Sequence, residues 1–436
     1  MNKNFLPLMG LLIVAAFPQN SSALPAFARQ TGMECSACHQ QHFPVLKSFG
    51  RAFKAGGYTM IGAQGQIEGE KLSIPATVNA AVMIKMRYQR QSNGGKGLRD
   101  GTGTETGDGQ IQIGNEFSLF LGGRVSDNIG FLMENNVANA GALIAGLRLP
   151  IMFEKNDTRF SIIPFTTDAL GVAYGYELSS AGVMRANRWA ELRRDSSAIQ
   201  YAIADSNGSH DKWAGAAAGL AMVAQNDMGY INFTRWTPNA LPGGNDGGVA
   251  SYGANSNYLR IAVTPTIADW AMVGGIGIMS GSSELADAGT PSVIDSGLVN
   301  TEASSADLQA HGQLAGKDVG VYVTYANAPA DTGTQHQLFN TGSKAKNAFA
   351  FGVDYSIIPN TLHIGGAYRI GQTGVASTAS PSSSRTDDAL MLQAIYKLRQ
   401  NIALHVTGAL RSGTKYSEDN SATGKKEVIL MLEGAW

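Results

Sequence analysis

The chain has 436 residues with 33 Lys and Arg against 34 Asp and Glu, a balance that leaves no broad electrostatic footprint for nucleic acid. Charged residues make up only 15% and glycines number 53, a sparse-charge, glycine-rich mixture unlike an ordinary soluble domain. Beyond the first stretch no run approaches the roughly 18 consecutive apolar residues of a membrane helix, so any membrane crossing requires a closed barrel, the other architecture that satisfies every backbone group in lipid.

The first element in chain order reads as a secretory signal over residues 1–23. Lys3 supplies the positive start, residues 5–17 the short apolar core, and Ser21, Ser22 and Ala23 the small residues at a cleavage site. Cleavage is expected after Ala23, with Ala28 as the alternative. The apolar run is short for a membrane anchor.

Residues 24–72 carry the chemistry. The chain has two cysteines, in the segment Cys35-Ser36-Ala37-Cys38-His39. C-x-x-C-H is the attachment pattern of a c-type haem. Two thiols one helical turn apart can add to the two vinyl groups of one porphyrin, and the adjacent His39 then supplies the proximal nitrogen to iron. A disulfide is the default for paired cysteines in an exported chain. A thioredoxin-like pair wants a βαβ context, and a structural zinc wants four ligands; neither accompanies this motif. One motif predicts one covalent haem and no separate catalytic residue. The segment is too short to wrap a haem alone, so it is expected to lean on, or sit within, the rest of the protein. For the second axial ligand, His42 follows His39 by about one turn and falls on the same side of a helix. It therefore reads as a packing or polar residue. Met60 is far enough along the chain to reach the other face, and a thioether there would raise the potential. The remainder of the chain is a third source.

Residues 73–436 read as an outer-membrane antiparallel β-barrel of about 16 strands, an all-β fold with the haem segment in or at its lumen. Segments of about 10 residues alternate apolar and polar. Phe349, Phe351, Val353, Tyr355 and Ile357 oppose Ala350, Gly352, Asp354 and Ser356. Leu362, Ile364, Tyr368 and Ile370 oppose His363, Gly365, Ala367 and Arg369. Ile402, Leu404, Val406 and Leu410 oppose Ala403, His405, Thr407 and Arg411. The apolar set is expected to face lipid and the polar set the lumen. Tight turns (Ser126-Asp127-Asn128, Pro359-Asn360, Arg399-Gln400-Asn401) alternate with long polar loops at 91–109, 237–256, 282–305, 329–346 and 373–386, as periplasmic turns and outer loops do. A soluble β-sandwich shares the alternation but not this asymmetry. The last strand ends on Trp436, where an interfacial aromatic belongs. Strand parity places His311, His363, His405, Met431 and Glu433 on the lumen face. Such histidines can bind metal, relay protons or cap a haem, or serve as plain polar lining. Arg185, Arg188, Arg193 and Arg194 make residues 181–204 basic, read either as a solvated helix or as one folded at the pore where arginines meet haem propionates.

Residues 24–32 (Leu-Pro-Ala-Phe-Ala-Arg-Gln-Thr-Gly), Cys35 to His39, His42-Phe43-Pro44, residues 49–54 (Phe-Gly-Arg-Ala-Phe-Lys) and Gly57-Tyr58-Thr59 together resemble the fused monohaem cytochrome c–porin iron oxidases of iron-oxidising bacteria. The close match is confined to this N-terminal segment, and the barrel matches in length and architecture alone. The resemblance implies a haem protein in the outer membrane of a Gram-negative bacterium. It would oxidise extracellular Fe(II) and pass electrons to a periplasmic cytochrome c. By position it implies that Cys35 and Cys38 carry the haem and His39 ligates it. The alternative is a transport porin whose haem segment is a plug or redox sensor.

Overall fold

The computed structural model describes residues 25–40, 45–93, 107, 109–137, 144–168, 170–180, 197–203, 215–238, 255–284 and 298–436. The expected signal segment lies outside them, as do His42 and the arginines at 185, 188, 193 and 194.

Sixteen antiparallel strands close into a barrel. They are β1 Ala80–Gln91, β2 Gln110–Ser126, β3 Ile129–Asn136, β4 Ile144–Arg148 continuing as Ile151–Lys155, β5 Thr158–Thr167, β6 Ala217–Asn226, β7 Gly229–Pro238 and β8 Ser256–Val263 with Thr266–Ile267. The second half is β9 Trp270–Ser280, β10 Ala303–Leu314, β11 Lys317–Ala328, β12 Lys346–Ile358, β13 Leu362–Ala376, β14 Ser384–Thr386 with Asp388–Arg399, β15 Ile402–Ser412 and β16 Lys426–Ala435. Each strand pairs with its sequence neighbour, and β16 closes on β1 in the register Met431↔Arg87 and Glu433↔Lys85. The short turns supply the backbone twist a two-residue hairpin needs. Asn156-Asp157 and Ala315-Gly316 take positive φ at both central positions.

The wall has the expected parity. Phe349, Phe351, Tyr368, Ile370, Leu410 and Leu430 are exposed on its outside, whereas Ala350, Arg369, His405 and Met431 are buried toward the lumen. An apolar outer face and a polar inner one invert a soluble core and place the barrel in lipid. Among bacterial membranes that is the outer membrane of a Gram-negative cell.

Two chain segments fill the lumen. The first precedes the barrel: helices α1 Pro25–Thr31, α2 Cys35–Cys38 and α3 Ser48–Ala55, then a hairpin of Gln66–Gly69 with Leu72–Pro75. It is a plug, with α1 resting on β1 and β2. The second lies between β5 and β6. Its residues 171–180 are all buried, and its helix α4 Ala198–Ala202 rests on β11 and β12. Of residues 181–204, read either as a solvated helix or as one folded at the pore, the described part holds the buried five-residue helix α4; residues 181–196 and 204 are outside the described set.

Candidate functional site

The plug has a small core of its own. Phe27 stacks on Tyr58 at 5.0 Å between ring centroids, and Phe53 meets both edge-on at 5.1 and 5.7 Å. Such pairs add about 0.5–1.5 kcal/mol each beyond the area they bury. Gln30 is wholly buried and donates to the carbonyls of Tyr58 at 2.6 Å and Met60 at 2.7 Å, tying α1 to the end of the plug. Arg29 donates to the Ala80 carbonyl at 2.5 Å, fixing α1 to the barrel's first strand.

Within this frame α2 is a single turn that puts Cys35 and Cys38 three residues apart on one side. The two thiols are not joined as a disulfide. His39 leaves the turn in an extended conformation (φ −115°, ψ 145°), its backbone N–H donating to the Cys35 carbonyl at 2.8 Å, and it bridges to Leu46. Gln40 closes the same small loop by donating to the Val45 carbonyl at 2.9 Å, and Lys47 donates to that of Cys38 at 2.8 Å. Helix α3 approaches so closely that a Cβ at Gly50 would overlap the Cys38 carbonyl. Glycine is the residue that lets the second helix seat against the motif.

Barrel side chains hold this loop from the β10–β14 side. Val45 packs with Tyr322, Ala367 and Met391. Gln40 donates to Asp354 at 3.4 Å, Asp354 accepts from Tyr322 at 2.7 Å, and Tyr322 meets His311 at 3.0 Å. Gln309 donates to the Leu46 carbonyl at 3.3 Å, and Lys47 pairs with Asp318 at 2.7 Å. The Lys397 ammonium of β14 opposes the effect of burial on the Cys35 thiol. On the opposite side Arg148 lies over the rings of plug Tyr58 (5.4 Å) and inward-segment Tyr174 (4.6 Å), so the two lumen fillings share one guanidinium.

The donor set fits a c-type haem: two unbridged sulfurs on one turn followed by an imidazole. Burial pushes the Cys35 thiol up to about 12 and raises Cys38 as well. That is the reverse of the lowered thiolate a thioredoxin-like pair uses. Cys38 and His39 are partly exposed, whereas Cys35 is buried. Met60 lies 37% exposed, its carbonyl held by Gln30 near the β1–β2 wall, away from the wall that holds Cys35 to Gln40. His311, His363 and His405 are all buried on the lumen face. Among the described residues no group of three or more His, Cys, Asp or Glu side chains is arranged to hold a bare metal ion.

Sequence reasoning missed the barrel's side of the site: Asp354, Tyr322, Gln309, Lys397 and Arg148. Parity puts each of them in the lumen, but no local signal says which touch the plug. It also missed the buried ion network of the inward segment. Glu177 accepts from the backbone of Leu178 at 2.9 Å and Ser179 at 2.8 Å and from Tyr230 at 2.6 Å. It pairs with Arg260 at 3.2 Å, which in turn reaches Asp307 at 2.6 Å.

No family model matches the sequence, and no curated protein matches it. Among solved structures, the chain is similar in general shape to a loop L8 deletion mutant of OmpT, an outer membrane protein of Vibrio cholerae, at 11% identity and a TM-score of 0.48, over 83% of this chain and 99% of that one. It is also similar to the outer membrane channel DcaP of Acinetobacter baumannii, at 12% identity and a TM-score of 0.46, over 82% and 97%. The strand pairing and the inverted wall are those of a porin-like barrel.

Proposed function

We propose that this chain is an outer-membrane c-type cytochrome–porin that takes electrons from extracellular Fe(II) and delivers them to a periplasmic cytochrome c. The observation that carries the reading is the placement of Cys35-Ser36-Ala37-Cys38-His39 inside the lumen of a closed barrel, fastened to the wall through Gln40, Leu46 and Lys47. Cys35 and Cys38 would hold one haem through thioethers and His39 would ligate its iron; when bound, that group supplies a one-electron couple. Each Fe(II) leaves as Fe(III), and the one electron it loses is the one the periplasmic partner gains. Oxidising iron at the outer face keeps insoluble Fe(III) out of the cell.

The chain's own residues prepare the site. Tyr322 and Asp354 fix the loop after His39, and with it the direction in which the imidazole enters. Gly50 lets α3 cover the motif. Val45, Ala367 and Met391 give it an apolar flank, and a low local dielectric is one of the protein's levers on potential.

The test is spectroscopic. Purified protein should show a c-type absorption spectrum whose reduced bands grow on adding Fe(II), and His39→Ala should abolish or shift them. A haem spectrum that stays oxidised with Fe(II) but is reduced by dithionite would remove iron as donor.

A further inference from the structure

We propose that His311, Tyr322 and Asp354 of the barrel wall are positioning residues for the proximal imidazole: together they hold a buried carboxylate against the loop that leaves His39, and its charge lowers the potential of the iron. This deepens the haem reading above and rests on it.

In the register of β10, β11 and β12 the lumen positions His311, Gly320 and Asp354 are direct neighbours across the strands. The middle one has no side chain. Tyr322, the next lumen position along β11, leans back over it: a Cβ on Gly320 would lie 2.5 Å from both the Tyr322 hydroxyl and Asp354 Oδ2. Glycine is what lets one phenol reach both flanking strands. The hydroxyl donates to Asp354 Oδ2 at 2.7 Å, so only its lone pairs face His311 Nε2 at 3.0 Å. That pattern puts a proton on His311 Nε2, and the chain runs in one direction, from His311 through Tyr322 to Asp354. All three side chains are buried.

The far end of the chain is the motif. Asp354 Oδ1 accepts from Gln40, the residue after His39. His39 itself bridges to Leu46, whose carbonyl accepts from Gln309, one lumen position before His311 on β10. Val45 packs with Tyr322 between the two attachments. Both arms of the loop that leaves the proximal imidazole are thus fastened to one patch of β10, β11 and β12. Groups of this kind, one step removed from the metal, fix the direction of its ligand. With a donor on each oxygen, Asp354 is arranged as a carboxylate. Ferric iron carries one more positive charge than ferrous, so a buried negative charge beside the ligand's loop favours the oxidised state.

The experiment uses the full-length chain matured with its haem in a host that performs c-type attachment, purified in detergent. Variants that keep the haem stain are compared by spectroelectrochemical titration. Asp354→Asn keeps the shape and removes the charge, and should raise the midpoint potential most. Tyr322→Phe removes the hydroxyl and Gly320→Ala pushes it aside; both should raise the potential less, and His311→Leu least. His311→Gln keeps an N–H donor and should titrate as wild type does. Tyr322→Phe should add nothing to Asp354→Asn, because the two act along one chain. A role in packing alone would show neither the order nor the lack of additivity. An Asp354→Asn potential equal to or below wild type overturns the proposal. So does a Tyr322→Phe shift that adds in full to that of Asp354→Asn, or a His311→Gln shift as large as that of His311→Leu. Wild-type protein without a haem stain overturns the parent reading instead, which separates the two failures.

Discussion

Two regions of the lumen wall present different surfaces. From β5 to β12 an apolar set, Phe165, Trp236, Tyr258, Met279, Ala326 and Ala348, packs with Val172, Tyr174, Ile199, Leu338 and Phe339 into one buried cluster, beside the Glu177–Arg260–Asp307 network. Across β15, β16, β1 and β2 the wall is polar: Arg411 pairs with Glu427 at 2.7 Å, Arg87 donates to Gln112 at 2.6 Å, and Lys85 pairs with Glu116 at 2.7 Å. An apolar surface cannot stay wet without cost, and the inward segment between β5 and β6 covers this one. The polar half is covered in part by the plug, whose α1 rests on β1 and β2.

The sharpest way to break this contrast is to release the inward segment. Glu177→Ala removes the carboxylate that holds the inward segment to Arg260 and Tyr230, while Arg260 keeps its pair with Asp307. Leaving a buried donor such as the Tyr230 hydroxyl without its acceptor costs about 1–3 kcal/mol. Conductance in planar bilayers should rise well above wild type, whereas Glu116→Ala on the polar half should leave it unchanged. Equal conductance in both variants would mean that the inward segment does not close the pore.

A smaller effect is expected at the plug. Gly50→Ala drives a methyl into the Cys38 carbonyl, and overpacking of this kind costs about 1–3 kcal/mol. It should lower haem incorporation, read as haem absorbance per protein, while leaving the heat-resistant barrel band on gels intact. Lys54 tests the same junction in the other direction. Burial holds its amine well below the ordinary 10.5, with Arg148 adding to the effect and Glu177 opposing it. The charged form is therefore disfavoured in the docked plug, and docking strengthens as pH rises toward that value. Lys54→Met should protect the plug against proteolysis at neutral pH, and the gain over wild type should shrink as pH approaches 10.5; a variant more labile than wild type would contradict this. The smallest effect belongs to the outer rim. Glu418 accepts from Ser377 and from the Thr378 backbone at 2.9 Å, hydrogen bonds that draw its carboxyl down to about 2, and it also pairs with Arg385 at 3.0 Å. A lowered carboxyl stabilises above its ordinary pKa and loses that contribution as pH falls toward 2. Proteolytic nicking between β13 and β14 should increase only in that acid range.

Much of this was legible in the sequence, for a physical reason. A strand's period of two turns composition directly into facing, so Phe349 and Phe351 could be assigned to lipid and His363 and His405 to the lumen without coordinates. The thiol spacing in Cys35 to Cys38 is equally local. The lumen fillings were less legible. The run Val172-Ala173-Tyr174-Gly175-Tyr176 reads locally as strand-forming, and only its length of chain from β6 lets it turn inward. Arg260 meets both Glu177 and Asp307, and Gln40 meets Asp354, across separations that no periodicity encodes. The residues that carry the resemblance fare better in hindsight. Phe27, Gln30, Gly50, Phe53 and Tyr58 are the ones that build and seat the plug.

The intact mass of the mature chain, purified from outer membranes of a host competent in c-type maturation, tests the central claim most directly. The expected mass is that of the processed polypeptide plus one haem, and that of the bare polypeptide for a Cys35→Ser, Cys38→Ser double variant that still assembles as a barrel. A wild-type mass equal to the bare chain, or lighter by two hydrogens as a disulfide would leave it, would contradict it.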